Sequence, residues 1–247
     1  MKTKPKFGVI GSVMESSMLK LTTVIYSSRQ ASSVEIRLDP LKPKFGLFIP
    51  TLAACLEKLF LTQPVILTLR SKNQGGSEDI SPEEQFYFWE NLPANIREII
   101  SAEQSAVFVD WGLDLIMYAG SRTKQIFPWK KIGASLHDFQ ETPDDLPDRL
   151  QMLEETKAAA FLKLATTVTD RDNDIPRISN LFCNRSDERP LIAFGMGALG
   201  EDTRRKCLGW GSAGTYGYFS GHAKSAPGQL SIQELLRDPE VQAALGK

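Results

Sequence analysis

Short apolar runs rich in β-branched residues alternate along this chain with longer stretches of helical periodicity. Eight of these runs are candidate strands, at residues 7–13, 34–38, 65–70, 106–109, 132–136, 159–164, 191–194 and 215–219. Amphipathic patterns typical of helices cover residues 48–60, 82–100, 142–156, 200–208 and 230–245. Because strands that alternate with helices form parallel sheets, eight such units predict a TIM (β/α)8 barrel, an α/β fold that occupies residues 1–247 as a single domain.

A doubly wound open sheet is the alternative fold, and it would fit the pattern if one or two of the eight strand predictions were wrong. Polar side chains stand at or just beyond the carboxyl ends of most of the strands. This placement favours the barrel, since a closed barrel brings many strand ends to one point and an open sheet does not. These side chains belong to Glu35, Arg37, Arg70, Asp110, His137, Lys163, Arg204, Ser225 and Gln229.

The net charge indicates the class of partner, and the cysteine content indicates the cellular compartment. A formal net charge of -1 gives no general field for nucleic acid or an anionic membrane, so we expect a small-molecule partner. The three cysteines lie far apart without C-x-x-C spacing, which argues against a disulfide framework and a zinc site and favours a reducing cytoplasm. Residues 1–12 lack the apolar stretch of a signal peptide, and no apolar run is long enough to span a membrane.

Lys163 is the candidate nucleophile. It lies within an apolar run, where a lysine is rarely buried without a function. Burial and neighbouring cations both favour the neutral amine, which can attack a carbonyl group to form an imine. A lysine that reaches solvent or pairs with a carboxylate is the alternative interpretation.

His137 is the best general acid and base that the chain offers. It follows a strand, and the ordinary pKa of histidine, about 6.5, suits proton transfer near neutral pH. A structural histidine bonded to a loop is the alternative. The other histidine, His222, lies in a loop of small residues where we expect solvent exposure. Two isolated histidines with scattered carboxylates lack metal-ligand spacing, so no metal is predicted.

Three arginines, Arg37, Arg70 and Arg204, follow or end strands and can together grip a carboxylate. Taken singly, each can equally be an ion-pair partner of Glu35, Asp39 or Asp110. Residues 195–200 match G-x-G-x-x-G, but too little chain follows for a dinucleotide-binding unit and no acidic residue stands twenty positions later. We interpret this motif as a tight turn that lets Arg204 approach the site, and we predict no cofactor.

The residues described above lie in short segments whose order along the chain resembles that in the type I 3-dehydroquinate dehydratases of the shikimate pathway of aromatic amino acid biosynthesis. The match extends over nearly the whole chain. The segments that carry it are Val-Glu-Ile-Arg-Leu-Asp at 34–39, Thr-Leu-Arg-Ser at 68–71 with Gly-Gly at 75–76, Ser-Leu-His-Asp-Phe at 135–139 with Thr-Pro at 142–143, Lys-Leu-Ala at 163–165, Met-Gly at 196–197 with Gly200 and Thr-Arg at 203–204, Gly-Ser at 211–212, and Ser-Ala-Pro-Gly-Gln at 225–229.

The resemblance implies a lyase that dehydrates 3-dehydroquinate to 3-dehydroshikimate in the cytoplasm, usually as a homodimer and without a cofactor or metal. Lys163 stands where the family forms its imine with the substrate ketone, and His137 where it has its general acid and base. Arg204 matches the arginine that binds the carboxylate. The other positions that match substrate-binding residues are Glu35, Arg37, Arg70, Ser225 and Gln229. The loop at residues 225–229 is implied to close over the substrate.

Two positions depart from the family pattern. Gln74 stands where the family usually has a glutamate before the paired glycines, and Gly112 where a second glutamate follows Asp110 by two residues. A carboxylate beside His137 would orient it and support its positive charge, which leaves Asp110 to do so here. Three interpretations follow: an active dehydratase, an altered paralogue or Schiff-base aldolase on the same barrel, and an inactive barrel that binds a quinate-like ligand.

Overall fold

Parallel strands form the centre of the computed structural model, which describes residues 6–17, 28–59, 63–183 and 185–246. In this described part the strands are β1 Gly8–Val13, β2 Ser33–Arg37, β3 Val65–Thr68, β4 Val107–Gly112, β5 Ile132–Asp138, β6 Phe161–Thr167, β7 Leu191–Met196, β8 Gly214–Tyr218 and the two-residue β9 Leu230–Ser231. Every predicted strand is present. Several extend further at their carboxyl ends than predicted, as β4 does to Gly112 and β5 to Asp138.

The order of the strands shows a barrel. Hydrogen-bonded neighbours run β7-β6-β5-β4-β3-β2-β1-β8-β9, and each pair is parallel. The sheet curls until β7 lies beside β8, as shown by the N–H of Ala213, just before β8, which donates to the carbonyl of Leu191 in β7 at 2.7 Å. A doubly wound sheet would reverse its strand order at a switch point, and this sheet does not. The predicted (β/α)8 barrel is therefore confirmed, while its extent as one domain over residues 1–247 stays a prediction.

Helices follow the strands and cover the outside of the barrel. In the described part they are α1 Phe45–Leu59, α2 Pro82–Glu90, α3 Ala94–Ser101, α4 Leu113–Ala119, α5 Thr123–Ile126, α6 Leu146–Glu154, α7 Arg171–Asn180, α8 Glu201–Trp210, α9 Ile232–Arg237 and α10 Pro239–Leu245. None of the described helices is both long and apolar enough to cross a membrane. Phe60, the end of one predicted helix, and residues 1–5 of the segment searched for a signal peptide lie outside the described residues.

Prolines divide two of the predicted helices. The stretch 82–100 is interrupted before Pro93, which precedes α3 and which lacks the N–H that a continuous helix would need. The stretch 230–245 is interrupted at Asp238, whose side chain accepts from the first N–H groups of α10 while Pro239 occupies its first turn. Helix α7 was not predicted, because its sequence is almost entirely polar and only Asp174 and Ile178 are buried.

Side chains at alternate positions of the strands point into the barrel. At the amino-terminal end the ring of Phe7 packs edge to face on Phe108 and Phe161, with centroids 5.7 and 5.4 Å apart. Two residues further along β4 and β6 stand Asp110 and Lys163, both buried. An apolar layer thus closes the base of the barrel, and the polar residues lie directly above it.

Gly133 in β5 is required by this packing. A Cβ at this position would lie 2.2 Å from Cζ of Phe161. We expect Gly133→Ala to lower the free energy of unfolding by about 1–3 kcal/mol, the usual cost of overpacking a core. Urea denaturation measures the change.

The matched control is Gly46→Ala in α1, where a Cβ would meet no heavy atom within 4 Å. There we expect unchanged stability or a gain of about 0.5–1 kcal/mol, because alanine favours the helix. Equal stability of Gly133→Ala and the wild type would contradict the packing described.

Candidate active site

A cavity lies at the carboxyl ends of the strands, the end at which (β/α)8 barrels bind their ligands. All the predicted site residues line it: Glu35, Arg37, Arg70, His137, Lys163, Arg204, Ser225 and Gln229. The structure therefore brings together side chains from β2, β5 and β6, from the segment just beyond β3, from α8 and from the loop at residues 225–229, while the role of each stays a prediction. Sequence reasoning did not select Phe139, Phe194 and Tyr216, which also line the cavity.

Lys163 is buried in the middle of β6, with 4% of its surface exposed. Its Nζ lies 3.2 Å from Oδ2 of Asp110 and 3.5 Å from Oε1 of Glu35. Burial lowers the pKa of Lys163 below 10.5, and the charge of Arg70 acts in the same direction, whereas Glu35 and Asp110 oppose the change. The amine is therefore easier to deprotonate than an exposed lysine, yet two carboxylates hold it in place.

Glu35 in β2 is a fixed negative charge. Its Oε2 accepts from the hydroxyl of Ser12 at 2.7 Å, and its Oε1 accepts from Thr68 at 3.0 Å. Burial alone would raise the pKa of Glu35, but the positive charges of Lys163, Arg37 and Arg70, with the Ser12 hydrogen bond, lower it to about 2. Glu35 is thus ionised at any pH at which the protein would work.

Two of the three predicted arginines have ion-pair partners within the site. Nε and Nη2 of Arg37 donate to Asp39 at 2.8 and 3.0 Å, and Nη2 also donates to the carbonyl of Gly75. Arg70 pairs with Asp110 and donates to the hydroxyl of Ser135 at 2.7 Å. For these two arginines the ion-pair interpretation is correct. Only the N–H groups that the ion pairs do not use are available to a ligand.

Arg204 differs from the other two because its guanidinium is buried without an anionic partner among the described residues. Its Nε and Nη2 have no hydrogen-bond acceptor there, and Nη1 reaches only the carbonyl of Tyr216, at 3.4 Å. The guanidinium stacks on the ring of Phe194, 4.4 Å from its centroid. Burial lowers the pKa of Arg204 to about 10, which still leaves it charged. A buried, unpaired cation of this kind is suited to bind an anionic ligand.

His137 ends β5 beside Phe139, with the two rings stacked and their centroids 6.2 Å apart. Its buried Nδ1 has no partner among the described residues. Burial, and then the charges of Arg70, Lys163 and Arg37, hold the pKa of His137 well below 6.5. The imidazole is therefore neutral at pH 7 and available as a base.

The expectation that Asp110 orients His137 is wrong for this structure. Asp110 Oδ2 accepts from both Arg70 and Lys163, and its Oδ1 has no hydrogen-bond partner in the described part of the chain. The other histidine also differs from expectation. His222 is partly buried, with Nδ1 2.7 Å from Oε1 of Glu15.

Gln74 and Gly112 are spatially linked. A Cβ on Gly112 would lie 2.7 Å from Nε2 and 2.8 Å from Oε1 of Gln74, and 2.4 Å from Oδ1 of Asp114. Because residue 112 has no side chain, the amide of Gln74 can occupy the space that a side chain would fill. Residue 74 thus places a neutral amide instead of a carboxylate at this edge of the cavity, where burial and the charges of Arg70, Lys163 and Arg37 lower the pKa of His137.

The loop at residues 225–229 is held close to the cavity. The N–H of Ser225 donates to Oε1 of Gln229 at 2.8 Å, and the N–H of Gly197 donates to the carbonyl of Pro227 at 3.2 Å. Gly228 has φ +68°, and a Cβ there would lie 2.0 Å from the carbonyl oxygen of Gly197. Nε2 of Gln229 is buried without an acceptor among the described residues, so it can donate to a ligand.

The glycine motif at residues 195–200 is a tight turn, as expected. The Oγ1 of Thr203 accepts from the N–H of Gly195 at 2.7 Å, and Gly200 packs directly against Gly195. This turn leads into α8, whose first turn brings Arg204 to the wall of the cavity. Among the described residues, no group of three or more His, Cys, Asp or Glu side chains could hold a metal ion.

Comparisons with known proteins agree with this geometry. The family model for type I 3-dehydroquinase matches residues 10–238. The 3-dehydroquinate dehydratase of Methanococcus maripaludis is 33% identical over 174 residues, 70% of this chain and 74% of that protein. The enzyme of the same name from Thermococcus onnurineus is 28% identical over 94% of this chain and 97% of its own. The crystal structure of 3-dehydroquinate dehydratase from Geobacillus kaustophilus shares the fold, with a TM-score of 0.71 at 23% identity over 97% of this chain and 90% of that chain.

The neutral amide of Gln74 leads to a test by titration. We expect His137 to titrate well below 6.5 in the wild type, and Gln74→Glu to raise its pKa, because a carboxylate in the same cavity favours the imidazolium. With the pKa raised, the neutral base forms only at higher pH, so the acid limb of the pH–rate profile moves upward. NMR of labelled histidine resolves both residues, and His222 is the internal reference.

Gln125→Glu adds the same charge on the exposed face of α5 and is the matched control. If Gln74→Glu left the pKa of His137 where the control leaves it, the expectation that a charge at position 74 acts on His137 would be contradicted.

Proposed function

The chain belongs to the type I 3-dehydroquinase family, and from that premise we propose that Lys163 and His137 carry out the dehydration of 3-dehydroquinate in the cavity described above. The activity is that of a 3-dehydroquinate dehydratase, a lyase, and the Schiff-base mechanism is general to the family. The observation that carries the assignment of residues is the buried amine of Lys163, with its lowered pKa, in the same cavity as the unpaired guanidinium of Arg204.

Arg204 binds the substrate carboxylate in this proposal. Its Nε and Nη2 have no other acceptor among the described residues, and a carboxylate would accept from both. Nε2 of Gln229 supplies a further donor at the loop side of the cavity. The hydroxyl groups of the substrate meet Glu35, Arg37, Arg70 and Ser225, which line the remaining walls.

Lys163 attacks the ketone carbon. Its lowered pKa makes the neutral amine accessible, and the carbonyl is converted to a cationic imine with loss of water. Glu35 and Asp110 lie 3.5 and 3.2 Å from the nitrogen. Because the positive charge stays on this nitrogen when the ammonium becomes an iminium, the same two carboxylates stabilise both species.

His137 moves the proton that the dehydration requires. The iminium acidifies the C–H bond on the neighbouring carbon, and the neutral imidazole removes this proton to give an enamine. The enamine electrons expel the hydroxyl group one carbon further on, and the imidazolium gives that group its proton, so that water leaves. Hydrolysis of the conjugated imine releases the product and restores the Lys163 amine. One imidazole therefore acts as base and then as acid, and the iminium serves as the electron sink without a cofactor.

Family membership is the main support for further properties of the protein. We propose that it acts in the shikimate pathway, in the cytoplasm, as a homodimer whose only ligand is the small-molecule substrate. Its formal net charge of -1 supports a partner other than nucleic acid or an anionic membrane. Analytical ultracentrifugation tests the homodimer directly.

The activity is tested by the rise in ultraviolet absorbance of the conjugated product when purified protein meets 3-dehydroquinate without added metal or nucleotide. We expect robust turnover by the wild type. Lys163→Met should reduce it by roughly 10⁴-fold or more, the scale of loss when a covalent nucleophile is removed. Circular dichroism checks that the variant is folded.

Lys157→Met, a change on an exposed residue beyond α6, is the matched control and should retain wild-type turnover. An inactive, well-folded wild type would favour a ligand-binding barrel. Turnover of other keto acids in place of 3-dehydroquinate would favour an altered paralogue or a Schiff-base aldolase.

A further inference from the structure

The hydroxyl group of Tyr216 is the least explained polar group in the cavity. Tyr216 lies in β8 with 3% of its surface exposed, and its side chain lines the cavity. Its buried Oη has no hydrogen-bond partner among the described residues. Buried tyrosine hydroxyls usually have partners, since an unpaired one loses the hydrogen bonds that water would supply.

A phenylalanine would fill the same space without this cost. The ring of Tyr216 already packs on Phe194, with centroids 5.7 Å apart, and that contact needs no hydroxyl. Replacing an unpaired buried polar group by an apolar group of the same shape is generally neutral or stabilising. The hydroxyl therefore has no evident role in holding the described fold, and its partner is best sought in a ligand.

Tyr216 lies next to the amine that would react with the ligand. Nζ of Lys163 lies over its ring, 4.1 Å from the centroid. Its backbone carbonyl accepts from Nη1 of Arg204 at 3.4 Å. Tyr216 thus contacts both the amine that forms the imine and the guanidinium that binds the carboxylate in the proposed function.

The protonation state of Tyr216 makes it a donor. Burial, and then the negative charges of Glu35 and Asp110, hold the pKa of Tyr216 well above 10. The phenol therefore keeps its proton at neutral pH and does not act as a base. A neutral, buried O–H is a strong hydrogen-bond donor toward an oxygen that develops negative charge.

We propose that the Tyr216 hydroxyl donates a hydrogen bond to the ketone oxygen that Lys163 attacks, and so is a further catalytic residue of the imine-forming step. This inference rests on the proposed function. When the amine nitrogen bonds to the carbonyl carbon, the π electrons of the C=O bond move to the oxygen, where Tyr216 stabilises them. The oxygen then leaves as water with two hydrogens of the Lys163 ammonium, and the positive charge remains on the C=N bond. Tyr216 keeps its own proton throughout.

The test is Tyr216→Phe, which removes one oxygen and keeps the ring beneath Lys163. We expect kcat/KM for 3-dehydroquinate to fall roughly 100- to 1,000-fold, the usual loss when one donor at a developing oxyanion is removed. In single-turnover experiments with borohydride, imine formation at saturating substrate should slow by a similar factor. The Tm should stay unchanged or rise, because an unpaired buried hydroxyl has been removed.

Tyr87→Phe, on the exposed face of α2, removes the same atom away from the cavity and is the matched control. Activity of Tyr216→Phe within twofold of this control would overturn the inference. A lower Tm with lower activity would overturn it in favour of a structural role, and weaker binding with unchanged imine formation would place the contact on another substrate oxygen. An inactive wild type would instead overturn the proposed function, and the inference with it.

Discussion

A buried set of paired charges at the barrel mouth is the constraint on which the site depends. Three cations lie within ion-pair distance of three carboxylates in the pairs Arg37 with Asp39, Arg70 with Asp110, and Lys163 with both Glu35 and Asp110. Each ion would be costly to bury alone, so removal of one partner would leave an uncompensated charge. Arg204 stands outside this balance, and its positive charge is complementary to one carboxylate on a ligand.

The same charges suit imine chemistry. Covalent catalysis by lysine needs an amine that loses its proton readily and an environment that tolerates a cation on the same nitrogen afterwards. Burial and the positive charge of Arg70 lower the pKa of Lys163, so the amine loses its proton more readily. Glu35 and Asp110 then stabilise the cation on the same nitrogen. Because the strands are rigid and hydrogen-bonded to each other, these carboxylates are in place before the reaction and need not reorganise during it.

Much of the fold and the membership of the site could be predicted from sequence. Strand alternation indicated the barrel, and parallel strands that end at one rim had to bring Lys163, His137 and Arg204 together. The strands predicted at 106–109 and 132–136 ended where the apolar runs end. In the structure, β4 and β5 continue through Asp110 and His137. His137 lines the cavity and Asp110 forms ion pairs with Arg70 and Lys163 inside the barrel, so both polar residues interrupt the apolar pattern.

Other features depend on contacts that a sequence does not display. Pairing of Arg70 with Asp110 is set by the register of β3 and β4, so spacing alone could not tell that Asp110 faces Lys163 and leaves His137 without it. The fit of Gln74 into the space beside Gly112 joins a residue of the segment beyond β3 to the last residue of β4. Tyr216 lies in a glycine- and aromatic-rich strand with a weak pattern, and only the absence of a partner for its hydroxyl among the described residues distinguishes it.

The central claim is that Lys163 carries the substrate as an imine, and peptide mass spectrometry after borohydride reduction in the presence of 3-dehydroquinate tests it most directly. Reduction makes the C–N bond permanent, so the adduct marks the lysine that formed it. We expect a single modified peptide, with the added mass on Lys163. Modification of a different lysine, or an unmodified Lys163 in protein that consumes the substrate, would contradict the claim.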